Sequence, residues 1–149
     1  MELIIKQLDG LFNAFSESMS MKMPKEGWIN TIRKSIGMSR SQLAKKLRIT
    51  RQSVKEIEDR ESEGTISLNT LRDVANAMDL KLIYVLVPKD ESLENLIKRK
   101  AREVATAIVM RTSNTMKLED QEISKKRIHE AIQERAAQLI RDNAKILWD

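Results

Sequence analysis

Residues 39 to 58, SRSQLAKKLRITRQSVKEIE, use one local device twice. Ser39 and Thr50 each stand just ahead of a run suited to a helix, where a hydroxyl can accept a hydrogen bond from a free backbone N–H of the first turn. Gln42 follows Ser39 by three residues, the spacing of a capping box. Leu43, Ala44 and Leu47 in the first run, then Val54 and Ile57 in the second, supply apolar side chains at helical intervals. The chain therefore turns a tight corner between two short helices, and the residue at that corner is a cation, Arg48.

The surrounding sequence is helical too. Gly (4) and Pro (2) are scarce, and with aromatics at 3% the core must be built from Leu, Ile, Val, Met and Ala. Residues 2 to 15 space Ile4, Leu8, Leu11, Phe12 and Phe15 three or four apart, with Gly10 as an expected interruption. Residues 16 to 27, polar with Pro24 and Gly27 near the end, read as a linker. Trp28, Ile29, Ile32 and Ile36 share a face of a helix that Gly37 closes. Ser67 opens another, with Leu68, Leu71, Val74, Ala75 and Met78 inward, after a loop over residues 61 to 67. Ser92 caps a long helix whose face holds Leu93, Leu96, Ile97, Ala101, Val104, Ala105 and Ile108. A second runs from about Leu118 or Asp120 to Asn143, with Ile128, Ile132, Ala136, Leu139 and Ile140. The pair predicts a helical hairpin joined near SNTM (113 to 116), and Trp148 is expected to anchor the end of the chain.

One segment breaks the period. LKLIYVLVP (80 to 88) is almost continuously apolar and stops at Pro88, which predicts a single strand over Leu82, Ile83, Tyr84, Val85, Leu86 and Val87. A lone strand leaves its backbone groups unpaired. The same strand of a second copy is the simplest partner, so a two-fold homodimer is expected; burial against the chain's own helices is the alternative.

Charge is concentrated. The formal net charge is +5, yet residues 31 to 60 alone carry nine basic side chains against Glu56, Glu58 and Asp59. A cationic window in a chain otherwise near neutral implies a polyanionic partner at one place, or else a solvated basic face. The absence of cysteine excludes disulfides and thiolate sites. His129 is the single histidine and lies in a charged helix, so no multi-histidine metal site can form. General acid–base chemistry would fall to Glu, Lys or Tyr84; no cofactor and no catalytic residue is assigned, and the chain is not expected to be an enzyme. No apolar run reaches the roughly 18 residues of a membrane span. The N-terminus lacks signal-peptide order, so a cytoplasmic protein is expected.

The set Arg33, Gly37, Ser39, Arg40, Leu43, Ala44, Leu47, Ile49, Thr50, Gln52, Ser53, Val54, Ile57 and Glu58 resembles the Xre family, the lambda-repressor-like helix-turn-helix regulators, over about residues 28 to 80. The resemblance implies that the helix starting after Thr50 enters the major groove of DNA. It also implies that Arg33 and Glu58 form a partly buried structural ion pair. The segments IKQLDG, GWINTIRKSIGMSRSQLAKKL, ITRQSVKEIE, GTISLNTLRDVANAMDLKLIYVLVP, MKLEDQ (116 to 121) and the terminal LWD further resemble the bacterial family called mobile mystery protein A, across nearly the whole chain. Members of that family are associated with mobile elements and are encoded beside mobile mystery protein B, which carries a Fic domain. That implies an antitoxin-like role and a possible Fic-domain partner. Arg48 departs from the family where many members have glycine. It either takes a left-handed conformation at a cost of roughly 1–2 kcal/mol and reaches a phosphate, or is an ordinary surface arginine at a right-handed turn. DRESEG (59 to 64) departs from the Ser/Thr-x-x-x-Glu-Gly/Asn motif of Fic inhibitors at Asp59, so that role is not assigned.

The expected architecture is thus mostly α: an N-terminal helix and linker (1–27), an Xre-type helix-turn-helix bundle (28–80), a dimerisation strand (81–88) and a C-terminal helical region (89–149). On double-stranded DNA, Arg40, Lys45, Lys46, Arg48 and Thr50 are the expected phosphate contacts. Arg51, Gln52, Ser53 and Lys55 are the expected base contacts, since Arg or Lys suits guanine and Gln suits adenine. A symmetric dimer would set its two reading helices about 34 Å apart on a near-palindromic operator. The leading expectation is a repressor of the chain's own operon. The alternative is a protein-binding antitoxin that grips a Fic partner through the helices after residue 92.

Overall fold

The computed structural model describes residues 1–16, 22–113, 121–142 and 144–149. Part of the expected linker (17–21), most of the SNTM junction, the MKLEDQ stretch up to Asp120, the onset of the last helix at Leu118 or Asp120 and its end at Asn143 lie outside the described residues. The chain divides into two compact units, residues 18–85 and residues 1–17 with 86–149.

The first unit holds α2 (Trp28–Ser35), α3 (Arg40–Leu47), α4 (Arg51–Glu63) and α5 (Leu68–Ala77). Three of these helices start on hydroxyl caps supplied by their own sequence. Ser39 Oγ accepts from Gln42 N while the Gln42 side chain accepts from Ser39 N, a complete capping box. Thr50 Oγ1 accepts from Ser53 N and Ser67 Oγ from Thr70 N. The α2 start lacks such a residue. Its leading N–H groups, on Trp28 and Ile29, donate instead to the carboxylate of Glu61 on α4, at 2.9 and 2.8 Å. Ile29, Leu43, Ala44, Val54, Ile57, Val74 and Met78 form the buried core, with Ile32, Met38, Leu47, Ile66 and Leu71 packed around it. Ala44 has the smallest side chain among these, and α3 packs on both α4 and α5. The loop expected from Glu61 starts later, because α4 runs on to Glu63 and ends where Gly64 takes φ 77°.

Among the described residues there is no β-strand, so the strand expected over Leu82–Val87 is not formed within one chain. The physical reason is that strand structure requires a neighbouring edge to bond to, and the regular elements among the described residues are all helices. Leu80 N still donates to Ala75 O at 2.8 Å, closing α5, and the next regular element is the helix that starts at Leu93. Ile83, Tyr84, Val85 and Leu86 are left exposed.

In the second unit α1 (Glu2–Ser16) groups with α6 (Leu93–Ser113), α7 (Gln121–Asp142) and a terminal 3-10 turn, Ala144–Trp148. The Asp9 carboxylate on α1 accepts from Leu93 N at 2.7 Å and Glu94 N at 3.3 Å, while Ser92 Oγ accepts from Asn95 N. An α1 side chain thus helps cap a helix more than eighty residues away. Gly10 does not interrupt α1, which is continuous through it. Ala101 and Ala105 of α6, Leu139 of α7 and Leu147 form the buried centre, with Ile97, Val104, Ile108, Ile132 and Ala136 around it. Alanines at the crossing let two helices approach closely. Trp148, expected as the terminal anchor, is instead exposed, and its neighbour Leu147 is the buried residue. In so tight a turn adjacent side chains point in different directions, and only one of the two can face inward.

Candidate nucleic-acid interface

The corner between α3 and α4 begins at Arg48, the C-cap of α3, whose φ of 57° and ψ of 40° are left-handed. Its N–H points back to Lys45 O and that of Ile49 to Ala44 O at 3.0 Å. These bonds close the end of α3, and Thr50 then returns to an extended conformation to start α4. Of the two expected states of Arg48, the strained one is present. A β-carbon at this φ costs roughly 1–2 kcal/mol, and the fold sustains it because the corner is tied on both sides by caps.

Behind the corner lies a buried charge cluster. The Glu58 carboxylate, 1% exposed, receives Arg33 Nε on Oε1 at 2.6 Å and Arg40 Nε on Oε2 at 2.8 Å. Asn30 Nδ2 adds a third donor at 3.2 Å. Arg33 also donates from Nη1 to Met38 O, which ties the α2–α3 connection to the end of α2. A carboxylate removed from water to this degree is costly unless matched by charge and hydrogen bonds, and here both oxygens are engaged.

In front of the corner the charges are unmatched. Lys45, Lys46, Arg48 and Arg51 are exposed, and none of them makes an ion pair among the described residues. Gln52 is exposed beside them. The other expected contact residues sit differently. Thr50 and Ser53 bond to each other, Oγ1 to Oγ at 2.8 Å, so both hydroxyls serve the α4 cap. Lys55 Nζ is held by Asp59 Oδ2 at 2.7 Å. This pair is about half exposed and spans one helical turn, so releasing Lys55 costs only about 0.3–0.5 kcal/mol. Arg40 is occupied at Nε by Glu58 and reaches the surface with the rest of its guanidinium.

Uncompensated cations thus gather at the end of α3 and the start of α4, with the Gln52 amide beside them, and a polyanion such as a phosphate backbone is the chemistry they suit. The Helix-turn-helix family model matches residues 29–85. These residues form an Xre-like helix-turn-helix domain, of the kind found in DNA-binding transcription regulators. In that domain α3 and α4 are the two helices joined at the Arg48 corner. No curated protein and no solved structure matches the chain. Among the described residues no helix is long and apolar enough to cross a membrane.

Two functional details escaped the sequence. Glu61 caps α2 from more than thirty residues away; the signal available was the missing Ser, Thr, Asp or Asn at position 27. Arg40 shares Glu58 with Arg33, and no local spacing indicates that. His129 is exposed and hydrogen-bonds Gln133 within α7.

Proposed function

We propose that the protein is a sequence-specific transcriptional repressor that binds double-stranded DNA as a homodimer. The observation that carries this reading is the cluster of exposed, unmatched cations Lys45, Lys46, Arg48 and Arg51 around the first turn of α4. Lys45, Lys46, Arg48 and the free end of Arg40 contact phosphates, and Arg51 and Gln52 read base edges, with Lys55 available once released from Asp59. The Thr50 and Ser53 hydroxyls hold the helix start and have a secondary part. The apolar segment from Leu82 to Val87 pairs with its counterpart in a second copy, and the two α4 helices then address a near-palindromic operator. The cytoplasm is the compartment in which such a protein works.

The chain-wide resemblance to mobile mystery protein A supports a narrower role: an autoregulatory, antitoxin-like partner of a Fic-domain protein encoded alongside. The second reading, a protein-binding antitoxin, is favoured by α6 and α7 belonging, with α1, to a compact unit separate from that of α2 to α5. In that reading α6 and α7 hold the Fic partner and DNA binding is secondary.

Titration of the purified protein against its own promoter and against an unrelated duplex, at several salt concentrations, tests the first reading. Arg51→Ala and Gln52→Ala should each remove about 1–3 kcal/mol of discrimination between the two duplexes. Lys45→Ala and Lys46→Ala should weaken both complexes alike and reduce the salt slope by about 0.9 each. Equal affinity of the native protein for every duplex would sink the proposal. Co-purification with the neighbouring gene product tests the second reading, and a chain truncated at Lys89 that still neutralises that product would end it.

A further inference from the structure

We infer that Glu58 is a positioning residue for DNA binding, acting through Arg40; the inference rests on the DNA interface proposed above. Glu58 is almost wholly buried and cannot itself approach a duplex. Its two oxygens nevertheless hold two arginines with different fates. Arg33 lies inside the domain, with Nε on Glu58 and Nη1 on Met38 O. It supplies the charge that matches the carboxylate. Arg40 opens α3, and 29% of its side chain remains exposed. Only its Nε is committed inward; its two terminal amino groups make no hydrogen bond or ion pair among the described residues, and the Glu26 carboxylate, itself paired with Lys34, also feels its charge.

A guanidinium is a planar fork with five N–H donors at fixed angles. Holding Nε on a rigid, buried oxygen therefore restricts the directions that the four terminal N–H bonds can take. Two cations share the Glu58 carboxylate, so these three groups carry one net positive charge, on the partly exposed Arg40 side rather than on buried Arg33. It lies at the start of α3, where the helix dipole also favours an anion. A free surface arginine would lose rotamer freedom on gripping a phosphate, a cost of a few-fold to about tenfold in affinity. Arg40 has already lost part of it in the unbound protein. Glu58 thus does for the phosphate contact what an orienting group does for a ligand in a preformed site.

Lysine separates this role from simple charge. An ammonium carries the same charge on a single nitrogen and cannot hold Glu58 and a phosphate in two fixed directions. The test measures fluorescence anisotropy of full-length Arg40→Lys, Arg40→Ala and Arg51→Ala on the promoter duplex and on an unrelated duplex, across a salt series, with thermal melts of each variant. Arg40→Lys and Arg40→Ala should both weaken binding to the two duplexes alike, by about tenfold, with melting temperatures lowered by no more than several degrees, because Arg33 and Asn30 still hold the Glu58 carboxylate. Arg40→Ala should also lower the salt slope by about 0.9. In a Glu58→Gln background the loss on Arg40→Ala should shrink to a few-fold or less; if Glu58→Gln does not fold, the two Arg40 variants decide alone. Native-like binding by Arg40→Lys overturns the inference, as does a collapse of its melting temperature, which would assign Arg40 to the core. If Arg51→Ala abolishes discrimination while Arg40→Ala changes nothing, only this inference falls. If neither variant changes binding, the DNA interface falls with it.

Discussion

A β-carbon placed on Gly27 would stand 2.6 Å from Oε2 of Glu61, the carboxylate that accepts the first two N–H groups of α2. Gly27 also has a φ of 81°, so glycine is required there twice over. Gly27→Ala should destabilise the domain by about 1–3 kcal/mol, read as a fall of several degrees in melting temperature. Glu61→Ala removes the acceptor and should cost a similar amount. The double variant should lose less than the sum of the two, because the clash and the cap involve the same carboxylate. Strict additivity would show that the two effects are separate.

Arg48 sets stability against binding. Arg48→Gly relieves the left-handed strain but loosens the unfolded chain, for a net gain of up to about 1 kcal/mol. The same change removes an exposed cation next to α4, so affinity for any duplex should fall severalfold and the salt slope should drop by about 0.9. A variant that is more stable and binds as tightly as native would show that Arg48 touches nothing on DNA.

Self-association is testable at Ile83, which is 66% exposed in one chain. Ile83→Lys places a charge in the proposed strand pair, where its burial costs several kcal/mol. Sedimentation should change from a two-chain to a one-chain mass. Affinity for a two-half-site duplex should fall, while affinity for a single half-site should be unchanged. A native protein that sediments as one chain at every concentration would remove the dimer.

The surface of α6 carries a small acid-sensitive element. Arg99 grips Asp90 through Nε at 2.8 Å and Nη2 at 2.9 Å, and Glu103 through Nη1 at 2.7 Å. Hydrogen bonds from Arg99 hold the Asp90 carboxyl below its usual range, and those from Arg99 and Lys100 do the same for Glu103. Their folded values are depressed. Their contribution to stability is therefore present above the ordinary carboxylate range of about 3.9 to 4.3 and is lost as pH falls through the folded values. Carboxyl titration by NMR should show both midpoints moving up towards ordinary values in Arg99→Gln. Unchanged midpoints would show that the ion pairs do not persist in solution.

Features whose partners lie within a turn of the helix were legible from residue types alone. The caps at Ser39, Thr50, Ser67 and Ser92 and the inward stripes through Leu43, Val54, Val74 and Ala101 depend on spacings of three or four residues, which sequence carries directly. The left-handed state at Arg48 could only be posed as one of two possibilities, because backbone conformation at a non-glycine corner is decided by how the flanking helices pack. Contacts between distant segments left no local trace. Glu61 reaching back to Trp28, Asp9 reaching forward to Leu93, and Arg40 joining Arg33 on Glu58 all depend on which helix faces which. That arrangement follows from burying one shared core, and no window of neighbouring residues contains it. The same holds for Leu147 taking the interior place expected of Trp148, and for the apolar segment after Leu80, which finds no edge to pair with in its own chain.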